Sequence, residues 1–208
     1  MRFKINIALL SFFSFLMLRI TLPYLAFDDH TAFLRIKQWV IDNSLWKTAF
    51  YIHVLSSMFC LIAGFTQFSN KILTRYPVWH RTMGQLYVGV ILFLSGPSGL
   101  IMSIYANGGF ISQLAFTSLS LLWLYFTFQG YYQIRKGNLS LHQQFIIRSY
   151  ALTLSALTLR AWKWVIVLLL RPHPMDVYQW VAWLGWVPNL LIAEWYIRNS
   201  MKKSIALK

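Results

Sequence analysis

The stretch PVWHRTMGQLYVGVILFLSGPSGLIMSI, residues 77–104, decides the fold class. After His80 and Arg81 it contains no charged residue, and about 20 such residues in a helix are enough to cross the hydrocarbon core of a bilayer. Pro97 removes one backbone donor inside this segment, while the flanking glycines permit a neighbouring helix to approach closely. The sequence therefore predicts a membrane-spanning helix that bends near Pro97.

The composition of the whole chain agrees with this prediction. Of its 208 residues, 58% are hydrophobic and 18% aromatic, and 5 acidic residues stand against 19 basic ones. Such a composition is typical of an integral membrane protein. The formal net charge of +14 does not indicate nucleic-acid binding, because the basic residues lie between apolar segments. We interpret them as charges that face membrane lipids.

Apolar length and turn residues predict an all-α protein with six transmembrane helices in a single membrane domain, residues 1–208. The predicted spans are about 5–25, 45–68, 80–104, 111–133, 142–170 and 177–197. The first is interpreted as a retained helix, because it continues past Arg19 and lacks a small-x-small cleavage site. Helices two to five are expected to form a four-helix core. The fifth, at about 29 residues, is long enough that it must tilt or project beyond the bilayer.

The distribution of Lys and Arg predicts the topology. With the N-terminus inside, one face collects Arg2, Lys4, Lys71, Arg75, Arg81, Arg135, Lys136, Arg198, Lys202, Lys203 and Lys208. The other face collects Arg35, Lys37, Lys47 and Arg171. Because cytoplasmic loops carry the excess of basic residues, both termini are predicted to be cytoplasmic.

Several kinds of chemistry are excluded. Cys60 is the only cysteine, so the chain has no internal disulfide, thiolate zinc site or iron–sulfur cluster. The sequence has no HExxH motif, Ser-His-Asp set or phosphate-binding glycine loop. Metal chemistry in this chain must therefore use histidine.

His80 and His142 form the most informative histidine pair. Each lies in the first turn of a predicted span that starts from the same face of the membrane, the third and the fifth. In an up-down bundle these spans are diagonal, an arrangement that can offer two axial imidazoles to a haem iron. In the alternative, both rings lie in the headgroup layer with Trp79 and Arg81.

His53 lies inside the second predicted span, where an imidazole needs a partner. Three interpretations stay open for this ring: a single axial ligand, a proton acceptor for a quinol-like substrate, or a core histidine whose polar atoms are satisfied. His30 and His173 fall in predicted outer loops, and neither is assigned a role.

Basic residues inside the spans pose a separate question. Arg19, Arg160 and Lys163 are predicted in the outer half of the membrane, where no carboxylate lies at the same depth. They either hold an anionic group, such as a haem propionate or a lipid phosphate, or extend separately to the headgroups. Glu194 is the only acidic residue predicted within a span, and we expect it to form an ion pair with Arg148.

A series of short motifs along the chain is distinctive in its order. It runs through His53, Gly64 with Gln67 and Phe68, His80-Arg81 with Gly84 and Tyr87, Gly108-Gly109, Leu141-His142, the segment 147–153 and Arg160. In this order the chain resembles the bacterial multi-pass membrane proteins grouped as domain of unknown function 2306, over about residues 45–165. The resemblance implies a bacterial inner-membrane protein without an assigned activity. It directs attention to the matching positions His53, His80, Arg81, His142, Arg148 and Arg160.

The chain also distantly resembles transmembrane b-type cytochromes. Those proteins use four histidines in two diagonal pairs, whereas this chain supplies one pair and the additional His53.

Two functions follow as hypotheses. The first is a b-type haem-binding or quinone-linked redox protein, which as an enzyme would be a membrane oxidoreductase. The second is a non-enzymatic transporter or binding protein for an anionic or amphipathic small molecule. A third hypothesis is an accessory subunit whose aromatic-rich helices pack on a partner.

Overall fold

The computed structural model describes residues 7–171 and 174–206, and these residues contain helices and turns but no strand. Four helical segments are long and apolar enough to cross a membrane: Ser44–Gly64, Pro77–Ile104, Gly109–Arg135 and Leu139–Leu170. They coincide with the second to fifth predicted spans, so the all-α prediction is confirmed and these four segments are candidate spans by length and composition. The count of six spans stays a prediction. A shorter apolar helical segment, Ser11–Ala26, lies at the first predicted span.

The described chain forms two compact units, one that ends at Tyr105 and one that begins at Ala106. The first contains α1 (Ile7–Thr21), α2 (Ser44–Gln67), α3 (Asn70–Arg75), α4 (Pro77–Val90) and α5 (Gly96–Ile104). It also contains 3₁₀ turns at Leu22–Ala26 and Ala32–Ile36 and a π-helical turn at Ile91–Ser95. The second contains α6 (Gly109–Arg135), α7 (Leu139–Thr153), α8 (Ser155–Leu170), α9 (Pro174–Leu184) and α10 (Val187–Ala206).

A π-helical turn connects α4 to α5 within a single apolar segment. Pro97 lies two residues after the end of this turn and has no amide hydrogen for the carbonyl of the preceding turn. The backbone accommodates the missing donor with a locally wider turn, which is how π-helical turns occur inside α-helices. A π-helical distortion therefore lies beside Pro97, where the sequence predicts a bend, and the carbonyl of Ser95 contacts His53 on α2.

Lys37 is the unexpected residue in the core of the first unit. Its side chain is only 2% exposed, and its ammonium donates a hydrogen bond to the carbonyl of Tyr105. The same ammonium lies 5.7 Å from the ring of Phe33, 5.1 Å from that of Trp39 and 5.9 Å from that of Trp46. These rings present their negative faces to the cation. Burial nevertheless lowers the pKa of Lys37 to about 8.

In the second unit, a series of polar contacts joins α6 to α7. The Trp123 indole donates to the Thr153 hydroxyl at 3.0 Å, and the hydroxyls of Thr127 and Ser149 lie 2.7 Å apart. Hydrogen bonds between small polar side chains are a common way for apolar helices to associate where water is excluded. They fix α6 and α7 as an antiparallel pair.

The long fifth span and the sixth span of the sequence analysis are both interrupted. Leu154 separates α7 from α8, and Gly185 with Trp186 separates α9 from α10. The continuous helix predicted at about 177–197 is therefore corrected to two helices. The amide of Asn189 explains how the breaks are tolerated, because it donates to the carbonyls of Ala151 at 3.2 Å and Gly185 at 3.3 Å.

Replacing Lys37 with methionine is expected to change how stability depends on pH. Between about pH 8 and the ordinary lysine pKa of 10.5, the unfolded chain binds a proton at Lys37 and the folded chain does not. Stability rises with pH wherever the unfolded state binds more protons. The wild-type protein should therefore gain thermal stability relative to Lys37→Met as the pH rises from 8 to 10, measured by melting in detergent.

The matched control is Lys136→Met, because Lys136 is exposed at the end of α6. The difference in melting temperature between wild type and Lys136→Met should stay constant over the same range. An equally constant difference for Lys37→Met would contradict the burial argument.

Candidate functional site

The ring of His53 contacts the distorted turn. His53 lies on α2, half-buried, and its Nδ1 is 2.8 Å from the carbonyl oxygen of Ser95. A carbonyl can only accept, so Nδ1 carries the proton in this bond. In the neutral ring, Nε2 then holds the lone pair that can accept a proton or bind a metal.

Hydroxyl groups surround this contact. The hydroxyls of Ser56 and Ser95 lie 2.7 Å apart, and the Ser98 hydroxyl donates to the carbonyl of Leu94 at 2.6 Å. Buried Cys60 lies with its sulfur 3.9 Å from the Ser95 hydroxyl. The result is a polar cluster inside the apolar part of the first unit, in which the carbonyl of Ser95 binds the His53 ring.

His80 lies on α4 where this helix packs against the end of α2. The Gln67 amide donates to the carbonyl of His80 at 3.1 Å, and a Cβ on Gly84 would lie 2.9 Å from the Gln67 side-chain oxygen. The glycine therefore permits the Gln67 side chain to lie close to the backbone of α4. Nδ1 of His80 is 3.5 Å from the carbonyl of Thr66, at the outer limit for a hydrogen bond. The neighbouring Arg81 is exposed.

His142 repeats the arrangement of His53 in the second unit. Its Nδ1 lies 2.7 Å from the carbonyl oxygen of Gly130 on α6. A Cβ at position 130 would lie 2.7 Å from Cδ1 of Ile146, so glycine permits α7 to pack against this part of α6. The carbonyl again requires the proton on Nδ1 and leaves the lone pair on Nε2.

Arg148 and Glu194 form the predicted ion pair, so this prediction is confirmed. Both nitrogen–oxygen contacts are present, Nε with Oε1 and, at 3.0 Å, Nη2 with Oε2. The guanidinium carbon also lies 5.3 Å from the ring of Phe145 and 6.0 Å from that of Phe126. This two-point geometry joins α7 to α10 and neutralises both charges.

Of the three cations predicted in the outer half of the membrane, Arg19 is exposed in the last turn of α1, and Arg160 and Lys163 lie on α8. Arg160 is exposed and donates to the carbonyl of Ala156 at 2.7 Å. Lys163 donates to the Tyr178 hydroxyl at 3.1 Å and lies 4.6 Å from the centre of the same ring. Because Tyr178 is a neutral partner, this contact orients the ammonium without cancelling its charge.

The predicted site residues thus belong to two units. His53, His80 and Arg81 lie in the first, and His142, Arg148, Arg160 and Lys163 lie in the second. The pairing of His80 with His142 on one haem iron stays a prediction. No group of three or more metal-binding side chains occurs among the described residues, although a haem with two axial histidines does not require one. His173 and the topology charges Arg2, Lys4 and Lys208 lie outside the described residues.

A comparison with protein families settles which family the chain represents. The family model described as "Predicted membrane protein (DUF2306)" matches residues 50–197. The chain belongs to this family. The DUF2306 match begins five residues after the predicted start at about 45, extends past the predicted end at about 165, and includes Glu194, the partner of Arg148. No curated protein and no solved structure gives a significant match.

Sequence reasoning missed the carbonyl partners of the histidines in this DUF2306 protein. Ser95 and Gly130 supply backbone atoms, which no side-chain motif records. An indirect signal exists for each, since Ser95 lies two residues before Pro97 and Gly130 is a glycine inside an apolar helix. Proline and glycine inside such helices mark positions where backbone atoms become accessible or helices approach closely.

A double-mutant cycle on Arg148 and Glu194 should show strong coupling. Arg148→Met and Glu194→Met each leave one charge in a partly buried position, so each should lower stability by about 2–4 kcal/mol. The double variant removes both charges and should cost less than the sum of the single variants. Unfolding in mixed micelles measures the free energies, and additive single effects would contradict the ion-pair assignment.

Proposed function

We propose that this DUF2306 protein is a redox protein of the membrane that binds a b-type haem or a quinone through neutral histidine rings. The observation that carries the proposal is the bond from Nδ1 to a backbone carbonyl at His53 and His142. Metal-ligating histidines commonly donate their other ring nitrogen to a carbonyl, which fixes the tautomer and the orientation of the ring. The same bond places the lone pair of the neutral ring on Nε2, where a metal ligand or a proton acceptor needs it.

The chemistry of the donor set fits both cofactors. A haem needs axial imidazole nitrogens, for which His80 and His142 are the proposed ligands, and a bound haem or quinone would supply electron transfer. A quinol hydroxyl needs a neutral base inside the apolar region, which His53 beside the Ser56 and Ser95 hydroxyls provides. Arg81, Arg148, Arg160 and Lys163 remain the proposed cationic groups around the cofactor. Arg148 is the least suited of the four to bind an anionic group of the cofactor, because Glu194 already neutralises its charge.

The proposed setting is the inner membrane of a bacterium, with both termini in the cytoplasm. Support comes from the membrane family, from the several apolar helices and from the distribution of basic residues in the sequence.

The alternative function is a transporter or binding protein for an anionic or amphipathic small molecule. The observation that favours it is Lys163, whose ammonium contacts the neutral hydroxyl and ring of Tyr178 and therefore keeps its positive charge. Arg160 lies three residues away on the same helix, so two cations share one region of α8. An anionic ligand would be attracted to such a pair.

The absorption spectrum of the purified full-length protein tests the haem part of the proposal. Expression with adequate haem supply should give Soret and α bands that sharpen on reduction with dithionite. His80→Ala and His142→Ala should each abolish the bands, because each removes an axial nitrogen. His53→Ala should retain them, as should the control His30→Ala, which changes an exposed ring outside the site.

Extraction of the same samples and mass spectrometry test the other possibilities. With no haem bands, a quinone that copurifies with wild type and is lost in His53→Ala supports the quinone-linked form. An anionic ligand that is lost in both Arg160→Ala and Lys163→Ala, without haem or quinone, would establish the alternative function instead. Absence of haem and of quinone from the wild-type protein would overturn the redox proposal.

A further inference from the structure

In the first unit, basic and apolar side chains occur together in α3 and at the start of α4. The α3–α4 patch consists of Lys71, Arg75 and Arg81 together with Leu73, Tyr76, Val78 and Trp79. All three basic side chains are exposed. The guanidinium of Arg75 lies 5.8 Å from the centre of the Tyr76 ring, so at least one cation is held against an aromatic face.

The apolar members of the patch are equally exposed. Relative exposure is 45% for Leu73, 53% for Tyr76, 77% for Val78 and 53% for Trp79. The patch adjoins the start of the apolar segment Pro77–Ile104, which places it at the end of a candidate membrane span. Tyr and Trp at such a position are favoured at headgroup level, where the ring is in an apolar layer and the polar atom is in a wet one.

The charge of this region has no compensation in the neighbouring sequence. Between Asp42 and Asp176 the chain contains no aspartate or glutamate. Ion pairs among the described residues are formed by Lys47 and Arg148, outside the patch. The cations of the α3–α4 patch are therefore complementary to an anion that the neighbouring sequence does not supply.

We propose that the α3–α4 patch is a binding surface for the phosphate-bearing headgroup of an anionic glycerophospholipid. Guanidinium groups bind phosphate oxygens at two points, and lysine adds a third positive charge. The exposed rings would hold the patch at the depth of the glycerol and phosphate groups. This inference shares Arg81 with the redox proposal but goes beyond it, since it involves a lipid of the bilayer and not a cofactor.

Competition between lipids in native mass spectrometry tests the inference. The full-length protein is transferred to detergent with mixtures of phosphatidylglycerol and phosphatidylcholine, and the lipids retained on it are counted. Wild type should prefer phosphatidylglycerol. Each lost cation should weaken that preference about five-fold. The triple variant Lys71→Gln, Arg75→Gln and Arg81→Gln should weaken it on the order of a hundred-fold.

Two controls make the result specific. Lys47→Gln removes the same charge from a side chain already paired with Asp29 at 2.6 Å, and it should leave the preference unchanged. The second control is the double variant Lys71→Gln with Arg75→Gln, which keeps Arg81. It separates the lipid effect from a role of Arg81 at a cofactor. It also provides a test if the triple variant does not fold. Rising salt should weaken the preference of wild type. Wild-type preference in a folded double variant, or no preference in wild type, would overturn the inference.

Discussion

The hydrogen bond from an imidazole to a helical carbonyl is the interaction on which the candidate site depends. Where water is excluded, a polar ring without a hydrogen-bond partner costs several kcal/mol. His53 and His142 meet this requirement with carbonyls at 2.8 Å and 2.7 Å. A helical carbonyl is normally occupied by the amide four residues later, so the bond requires a carbonyl that can accept a second donor or a helix that has opened locally.

The protein supplies such carbonyls in two ways. At Ser95 the π-helical turn before Pro97 alters the backbone pattern, and the imidazole approaches from α2. At Gly130 the helix remains regular, and the absence of a side chain permits α7 to approach closely enough for the His142 ring to reach the backbone. A distortion and a small residue thus have the same consequence, which is a ring with its proton on Nδ1.

At the helix breaks of the second unit, backbone carbonyls likewise accept hydrogen bonds from side chains. The breaks at Leu154 and at Gly185 leave backbone oxygens without their usual helical donors. The amide of Asn189 and the hydroxyl of Thr158 donate to oxygens at these positions, including those of Ala151 and Gly185. The polar side chains of Asn189 and Thr158 therefore have identifiable structural partners at these breaks.

The sequence predicted the spans two to five because apolar length alone determines them, and it predicted Arg148 with Glu194 because a single acid had few partners at its depth. It did not predict the break at Gly185, since a glycine inside an apolar segment is equally compatible with a continuous helix. Lys37 was counted as a topology charge, although in the structure it is buried among aromatic rings. The partner of that charge is a backbone carbonyl distant in sequence, which no local pattern encodes.

The most direct measurement of the central claim is nitrogen-15 NMR of the histidine rings in the reconstituted, histidine-labelled protein. Each resonance is assigned by its loss in His53→Ala or His142→Ala. The account predicts that each ring, in its neutral form, has a protonated Nδ1 and the chemical shift of a lone-pair nitrogen, or of a ligated one, at Nε2. A proton on Nε2 and a lone pair on Nδ1 in both rings would contradict it.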